Sequence, residues 1–389
     1  MTRPKFKIMI ASSESITVNR FLKDYIFELS KFFSITVACK NARRDLNKIL
    51  PKNVSLIDLN IERKINLILD LISLVKIFFI LKKYNFTMIQ TITPKVGLIF
   101  QIVAFILRVN YRIHIFTGQI WATKRGLFRL LLKNLDKIVA SITTDLLADS
   151  FSQKEFLIKE NIVKRSKIKV LANGSICGVD KNIFNRDLIT KISIRKKLGI
   201  KNSEIIALFV GRLNKDKGIM DLIKSFELIY DKVINLHLVI VGKDEENITS
   251  NFNEKYKSFK RLHLLGEKYN PEQYMKASDF ICLPSYREGF GLVVLEAAAC
   301  GIPSVGSNIY GLNEVIINKK TGLLHEVKNV SELSKLLMLM AKDNKLRKTL
   351  GNAAFQRAHK LFSRERILKE QINFVKMIFR LDDDYKKNI

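Results

Sequence analysis

Cysteine, proline, histidine and tryptophan are scarce in this chain of 389 residues, at four, six, five and one. Cys39, Cys177, Cys282 and Cys300 are scattered, without Cys-x-x-Cys spacing or histidine companions. That pattern excludes a zinc ribbon or a disulfide frame and fits buried or incidental thiols in a reducing compartment. Long hydrophobic runs are missing as well. Residues 65–81 are apolar but carry Asp70 and Lys76, while Val96–Val109 carries Gln101 and Arg108. The second is also shorter than the roughly 20 residues that a membrane span requires. Both read as buried or interfacial helices. The opening residues hold only the short apolar run Ile8–Ala11 in a strand-like pattern, so no signal peptide is expected.

Acidic residues are outnumbered, 37 against 67 lysines and arginines, which leaves a formal charge of +30. Nucleic acid is not the expected partner, because no nucleic-acid-binding module is recognisable and the cations are spread over the whole chain. Part of the excess is compositional, since Lys, Ile and Asn are favoured throughout. Part is interleaved with apolar residues in the first half. Trp121–Lys137 places aromatic and aliphatic residues among cations. It reads either as a helix lying in the headgroup layer of an anionic membrane, each nearby cation contributing on the order of 1 kcal/mol, or as an amphipathic helix packed on a sheet.

The length suggests two domains, each with its own core. Short apolar strands alternate with longer helical segments. The pattern predicts strands at Phe6–Ala11, Ser34–Cys39, Phe86–Thr91, Arg112–Phe116, Lys137–Ala140 and Ile168–Leu171 in the first half. In the second half it predicts Ile205–Val210, Leu236–Val241, Leu262–Leu265, Phe280–Leu283, Ser304–Gly306 and Leu323–His325. Such alternation implies an α/β protein with parallel sheets covered on both faces, that is, two Rossmann-like units. Their junction falls near Ala172–Asp187, where Gly174 and Gly178 loosen the chain, and the tail from Phe362 reads as helical.

One run carries more chemistry than any other: Ser285-Tyr-Arg-Glu-Gly-Phe-Gly-Leu-Val-Val-Leu-Glu-Ala297. A buried strand, Asp279–Pro284, leads into it, and Leu292–Cys300 reads as a helix closed by Gly301 and Pro303. The glycines therefore occupy a tight strand-to-helix turn whose N–H groups can face an anion. Glu288 projects from the turn and Glu296 lies one to two turns into the helix. Two acceptors flanking a donor-rich loop suit a polyhydroxylated, phosphorylated ligand such as a nucleotide sugar.

Glu288-x7-Glu296 with Gly-Phe-Gly between resembles the signature of the retaining glycosyltransferases of family 4, which have the GT-B fold. The bare spacing is weak alone, but two further motifs accompany it. Val210-Gly-Arg-Leu-Asn-Lys-Asp-Lys-Gly218 resembles the family's Gly-Arg-x4-Lys. Ala172-Asn-Gly-Ser-Ile-Cys-Gly-Val-Asp180, followed by Phe184, resembles the segment at its domain junction.

The resemblance implies two Rossmann-like domains facing a cleft. Residues 1–175 would bind the acceptor and 176–361 the nucleotide sugar, with a terminal helix in 362–389 crossing back to the first domain. It implies that Arg212 and Lys217 stabilise the departing diphosphate and that Glu288 bonds the donor sugar's hydroxyls. Glu296 would take the ribose hydroxyls, while Gly211, Leu292 and the N–H groups of Gly289, Phe290 and Gly291 line the donor. Retention by front-face displacement, the leaving phosphate helping to deprotonate the acceptor, is likewise an implication. No cofactor or metal is expected beyond the donor, which is a UDP-sugar by analogy. Asp382-Asp-Asp384 satisfies a DxD pattern but lies in the tail and reads as a solvated charge run.

Two departures from the family stand out. Its glycine-rich first turn is here Ala11-Ser-Ser-Glu-Ser-Ile16, so Ser15 would take the place of bare backbone. Its His-Gly after the fourth predicted strand is here Thr117-Gly118, which with Asn173 forms the candidate contacts to donor sugar or acceptor. His114, two residues before Phe116 on the same strand face, reads as structural. The form Thr-Gly-Gln-Ile-Trp is similar to bacterial enzymes that extend lipid-linked oligosaccharides. The expected partners are therefore a nucleotide sugar, an undecaprenyl-diphosphate-linked saccharide and an anionic membrane, with the enzyme at the cytoplasmic face. The alternatives are a nucleotide-sugar epimerase of GT-B type, which the absence of histidine from all three motifs disfavours, and a non-catalytic basic protein binding membrane or nucleic acid.

Overall fold

The structure is a computed structural model that describes residues 6–61, 66–250, 256 and 258–381. Residue 65 and the Asp382–Asp384 run lie outside the described residues. Two compact units result: one comprises Met1–Cys177 and Glu365–Ile389, the other Gly178–Arg364.

The first unit is built on seven parallel strands: β1 (Lys7–Glu14), β2 (Ser34–Lys40), β3 (Ser55–Asp58), β4 (Met88–Thr91), β5 (Tyr111–Phe116), β6 (Asp145–Ala148) and β7 (Ile168–Lys169). Their order across the sheet is β3-β2-β1-β4-β5-β6-β7. The order reverses between β1 and β4, the place where such sheets open a crevice beyond their carboxyl ends. One sequence expectation is corrected here, and one strand is added. Lys137–Ala140 is not a strand but the last part of a helix, Gly126–Ile142, which buries Val139 and Ala140. A four-residue apolar run carries too little periodicity to separate helix from strand. The strand follows at β6. Edge strand β3, only partly buried, has no continuous apolar run and went unread.

The terminal helix Arg364–Ile378 buries Ile367, Ile372, Phe374 and Val375, the last three within the core beneath β1, β2 and β5. Phe379 follows it and closes the contact. Its ring lies 4.5 Å from Phe6, 5.1 Å from Phe33 and 5.1 Å from Tyr111. Gln371 Nε2 donates to the Ile176 carbonyl at 2.7 Å. The return of the chain is thus held by aromatic packing and one buried hydrogen bond. On the other side of the sheet, the helices Leu67–Tyr84, Pro94–Ile106 and Gly126–Ile142 pack side by side. Among the described residues, no helix is long and apolar enough to cross a membrane.

The second unit has six parallel strands: β8 (Ile205–Val210), β9 (Leu236–Val241), β10 (Leu262–Leu264), β11 (Phe280–Leu283), β12 (Ser304–Ser307) and β13 (Gly322–His325). Every residue of β8, β9 and β11 is buried, which is why β8 and β11 appear as unbroken apolar runs, and β9 as one broken only by His237, rather than as alternating ones. The order is β10-β9-β8-β11-β12-β13, with the reversal between β8 and β11. At the amino end of these two strands the buried Arg195 pairs with Asp279, and Asp279 also accepts the Ile206 N–H at 2.8 Å. Arg195 also donates to the Glu204 and Lys201 carbonyls at 2.9 and 3.0 Å. That network clamps β8 to β11 from below.

Replacing Phe379 by alanine should destabilise the first unit by about 3 kcal/mol, the usual cost of emptying a buried aromatic site. Chemical denaturation, together with hydrogen exchange over residues 365–381, checks it. An unchanged midpoint would mean that the terminal helix adds nothing to that core.

Candidate functional site

The carboxyl ends of β8 and β11 deliver the motif residues of the second unit. Beyond β8, Gly211 N–H bonds the Val241 carbonyl at 3.0 Å and Leu213 N–H the Lys243 carbonyl at 2.8 Å. These bonds prolong the β8–β9 pairing, with Arg212 exposed between them. Its guanidinium pairs with Glu245, 3.2 and 3.0 Å from the two carboxylate oxygens, and Asn214 Nδ2 donates to the same group at 3.1 Å. Asn214 also caps the short turn Lys215–Lys217 by accepting the Lys217 N–H at 3.2 Å.

That turn ends at Gly218, with φ of 65°, where a Cβ would stand 2.0 Å from the Pro284 carbonyl oxygen. Only glycine can lie there, so the β8 loop rests directly on the end of β11. The consequence is immediate. Lys217 Nζ reaches Glu288 Oε1 at 2.5 Å, and the fully buried Ser285 donates to the same oxygen at 2.8 Å. Further contacts tie the two loops: Tyr286 N–H to the Asp216 carbonyl at 2.8 Å, Arg287 Nε to Asp216 at 2.7 Å, and the Tyr286 hydroxyl to Asp221 at 2.8 Å. Burial and that carboxylate hold the tyrosine's hydroxyl proton well above its ordinary range.

Gly289, Phe290 and Gly291 continue from Glu288 into the helix Leu292–Ala299. The Phe290 ring turns into the core and meets Phe362 at 5.4 Å. The segment therefore presents backbone rather than an aromatic face. Gly311, with φ of 83°, backs onto it, a Cβ there falling 2.7 Å from the Glu288 carbonyl oxygen and 2.9 Å from Gly289. Glu296 is partly exposed on the same helix as Leu292. The motif read from sequence is thus one contiguous surface at the sheet's switch point. Ser285, Asp216, Glu245 and Gly311 complete it. Of these, Ser285 and Asp216 lay within the quoted motifs, and no spacing rule pointed to Glu245 or Gly311.

The remaining candidates belong to the first unit. The Ser15 hydroxyl, expected to stand in for a glycine-rich turn, donates to Asp45 at 2.6 Å. Beside it, at the β1–β4 reversal, Ser13 and Thr93 share a 2.6 Å hydrogen bond. Thr117 and Gly118 follow β5, and Asn173 lies in the turn after β7, its side-chain oxygen enclosed and without a partner. His114 is buried against Phe116 at 4.8 Å, with Nδ1 2.8 Å from Thr91 Oγ1. Burial lowers its pKa to about 3, so it stays neutral and structural. Among the described residues, no group of three or more His, Cys, Asp or Glu side chains is arranged to hold a metal ion.

Cations at one strand end and a carboxylate at its neighbour's thus meet across the switch point. The same fold occurs in known proteins. The chain resembles HepE of Anabaena, solved with UDP and glucose, at a TM-score of 0.78 and 17% identity over 95% of this chain and 99% of that one. The fold is GT-B. Residues 190–357 match the family glycosyl transferases group 1. The capsular polysaccharide biosynthesis glycosyltransferase CapM of Staphylococcus aureus is 31% identical over 79% of this chain and 81% of its own length. The UDP-Gal:α-D-GlcNAc-diphosphoundecaprenol α-1,3-galactosyltransferase of Escherichia coli is 32% identical over 73% and 74%. The chain belongs to the glycosyl transferases group 1 family.

Gly218→Ala should cost at least about 2 kcal/mol, combining left-handed strain with the clash against Pro284, and should part Lys217 from Glu288. Thermal unfolding and titration with a UDP-sugar check this. Wild-type stability and affinity in the variant would show that the loop has room to spare.

Proposed function

We propose that this glycosyltransferase moves a sugar, with retention of configuration, from a UDP-sugar to a saccharide carried on undecaprenyl diphosphate. The contact of Lys217 with Glu288 at the β8–β11 switch point carries this reading. In it, one cation and one acceptor stand where a diphosphate and the sugar attached to it would meet. Arg212 offers a planar fork of donors to the diphosphate, and Lys217 a compact charge. Both are neutralised by carboxylates here. On donor binding, the diphosphate takes the place of those partners, and Glu288 is released to accept hydrogen bonds from the sugar's hydroxyls. Gly211, Leu292 and the N–H groups of Gly289, Phe290 and Gly291 border the donor, and Glu296 receives the ribose hydroxyls. Charge developing on the leaving phosphate is met by fixed donors rather than by a metal. The leaving oxygen then helps to remove the acceptor's proton, so the new bond forms on the face that the nucleotide leaves. In this reading no cofactor is needed, and the acceptor is bound by the first unit, with Thr117, Gly118 and Asn173 near the transfer point.

The acceptor assignment draws on the Escherichia coli relative, named for a GlcNAc-diphosphoundecaprenol substrate, and on the surface of the first unit. Along Leu67–Tyr84, Ile68, Leu71, Ile72 and Phe79 face solvent, Ile68 at 73% exposure. Along Gly126–Ile142, Leu127 is 85% exposed and Phe128, Leu130 and Leu131 are half exposed. A helix merely packed on a sheet would bury those leucines. Lys124, Arg125 and Lys137 stand beside them in the open. Apolar side chains entering the interface, ringed by cations, are what binds a peripheral protein to an anionic leaflet. In this reading the enzyme works at the cytoplasmic face of the membrane.

Two experiments test these assignments. Mass spectrometry of purified protein with a panel of UDP-, GDP- and dTDP-sugars and lipid-diphosphate-linked saccharides should yield a product one sugar heavier. Glu288→Ala and Lys217→Ala should each reduce the rate at least 100-fold. Full rates in both variants would remove these residues from the chemistry. Separately, sedimentation with phosphatidylglycerol vesicles should capture the wild type, and Leu127→Asp/Leu131→Asp should release it while leaving the fold intact. Equal capture of both proteins would place the membrane contact elsewhere.

A further inference from the structure

Asp149 is the buried carboxyl group that the foregoing mechanism leaves unused. It stands at the carboxyl end of β6, beside the loops that leave β5 and β7. Its N–H bonds Gln153 Oε1 at 2.8 Å, and Gln153 Nε2 reaches Gln119 Oε1 at 3.3 Å, so the Thr117–Gln119 segment is tied to it on one side. On the other side the Ser175 N–H donates to the Asp149 carbonyl at 2.7 Å and lays the turn holding Asn173 against the strand end. The residue is 7% exposed. Among the described residues no side chain or N–H donates to its carboxylate, yet its oxygens are not among the fully enclosed atoms that lack a partner. The group is therefore unpaired, nearly buried and still reachable.

Such an arrangement is costly. Burial raises the Asp149 pKa to about 7. His114 on β5, Asp145 on β6 and Lys169 on β7 contribute nothing to that shift, which burial alone causes. An unpaired carboxyl at a strand's carboxyl end opposes folding, so it has no structural reason to be there. A ligand that supplies hydroxyl donors would satisfy it.

We propose that Asp149 binds hydroxyl groups of the acceptor saccharide in the first unit. This rests on the reading of that unit as the acceptor-binding half of the enzyme. The carboxylate accepts the hydrogen bonds, and no covalent step passes through it. It is an acceptor-binding residue, distinct from the motif residues at the β8–β11 switch point.

The chain's one tryptophan provides the readout. Trp121 follows the Thr117–Gln119 segment, stacks on Phe156 at 5.2 Å and donates to Asp136 at 2.7 Å. Its fluorescence would be followed while farnesyl-diphosphate-linked N-acetylglucosamine, and separately UDP, are titrated into wild type, Asp149→Asn and Asp149→Ala. The acceptor's Kd should rise at least tenfold in Asp149→Ala and less in Asp149→Asn, whose amide oxygen still accepts. UDP affinity should hold, and the thermal midpoint at pH 8 should equal or exceed that of wild type in both variants. Unaltered acceptor affinity in Asp149→Ala would overturn the proposal. So would a joint loss of both affinities with a lowered midpoint, the mark of a structural role. If wild type transfers sugar and Asp149→Ala keeps the acceptor KM, this inference alone falls. If wild type binds UDP but neither binds nor glycosylates any saccharide, the proposed function falls and takes the inference with it.

Discussion

The close approach of Gly218 to the Pro284 carbonyl decides how the second unit's functional surface is assembled. A parallel sheet fixes the spacing of β8 and β11, but not the course of the loops beyond them. With no side chain at position 218, the β8 loop settles on the β11 loop. Lys217 and Glu288, 71 residues apart in sequence, then meet at 2.5 Å. Gly311 performs the same service from the β12 side, pressing against Glu288 and Gly289. The clamp made by Arg195 and Asp279 at the opposite end of β8 and β11 gives that loop pair a rigid base. Preorganisation here comes from backbone contact, which loses little entropy when a ligand arrives, rather than from long side chains held in place.

The pairing of both motif cations with carboxylates has its own consequence. A solvent-facing guanidinium beside Glu245 and a partly buried ammonium beside Glu288 keep the loop's charge balanced when no phosphate is present. In the proposed function, a diphosphate competes with those carboxylates, which tempers affinity for the nucleotide portion while the geometry is retained.

Charge and apolar surface divide the labour in the first unit. The formal charge of +30 would be hard to reconcile with a sugar-handling enzyme if it were all directed at the substrate. The helices Leu67–Tyr84 and Gly126–Ile142 give it another outlet, because large apolar side chains point outward on both, next to exposed cations. Arg129 and Lys133, by contrast, are taken up by Glu160 at 2.9 and 2.7 Å and by the Trp121 ring. Within one helix, then, some cations brace the fold and others remain available at the surface.

Much of the architecture was legible from sequence for a simple reason. Strands buried on both faces are apolar almost throughout, so β8, β9 and β11 announced themselves. Where that condition failed, the reading failed: edge strand β3 lacked the run, and Val139 and Ala140 supplied apolar residues to a helix instead. The places of Arg212, Lys217, Glu288 and Glu296 were legible too, because they follow the ends of β8 and β11 at short spacings. Sequence alone determined which residue types leave each strand and so which ligand chemistry the chain can address. Tertiary structure alone decided that Lys217 touches Glu288, that Phe290 turns inward, that Leu127 faces solvent and that the Asp149 carboxylate has no donor among the described residues. Those outcomes depend on contacts between segments far apart in the chain, and on burial, which no local pattern encodes.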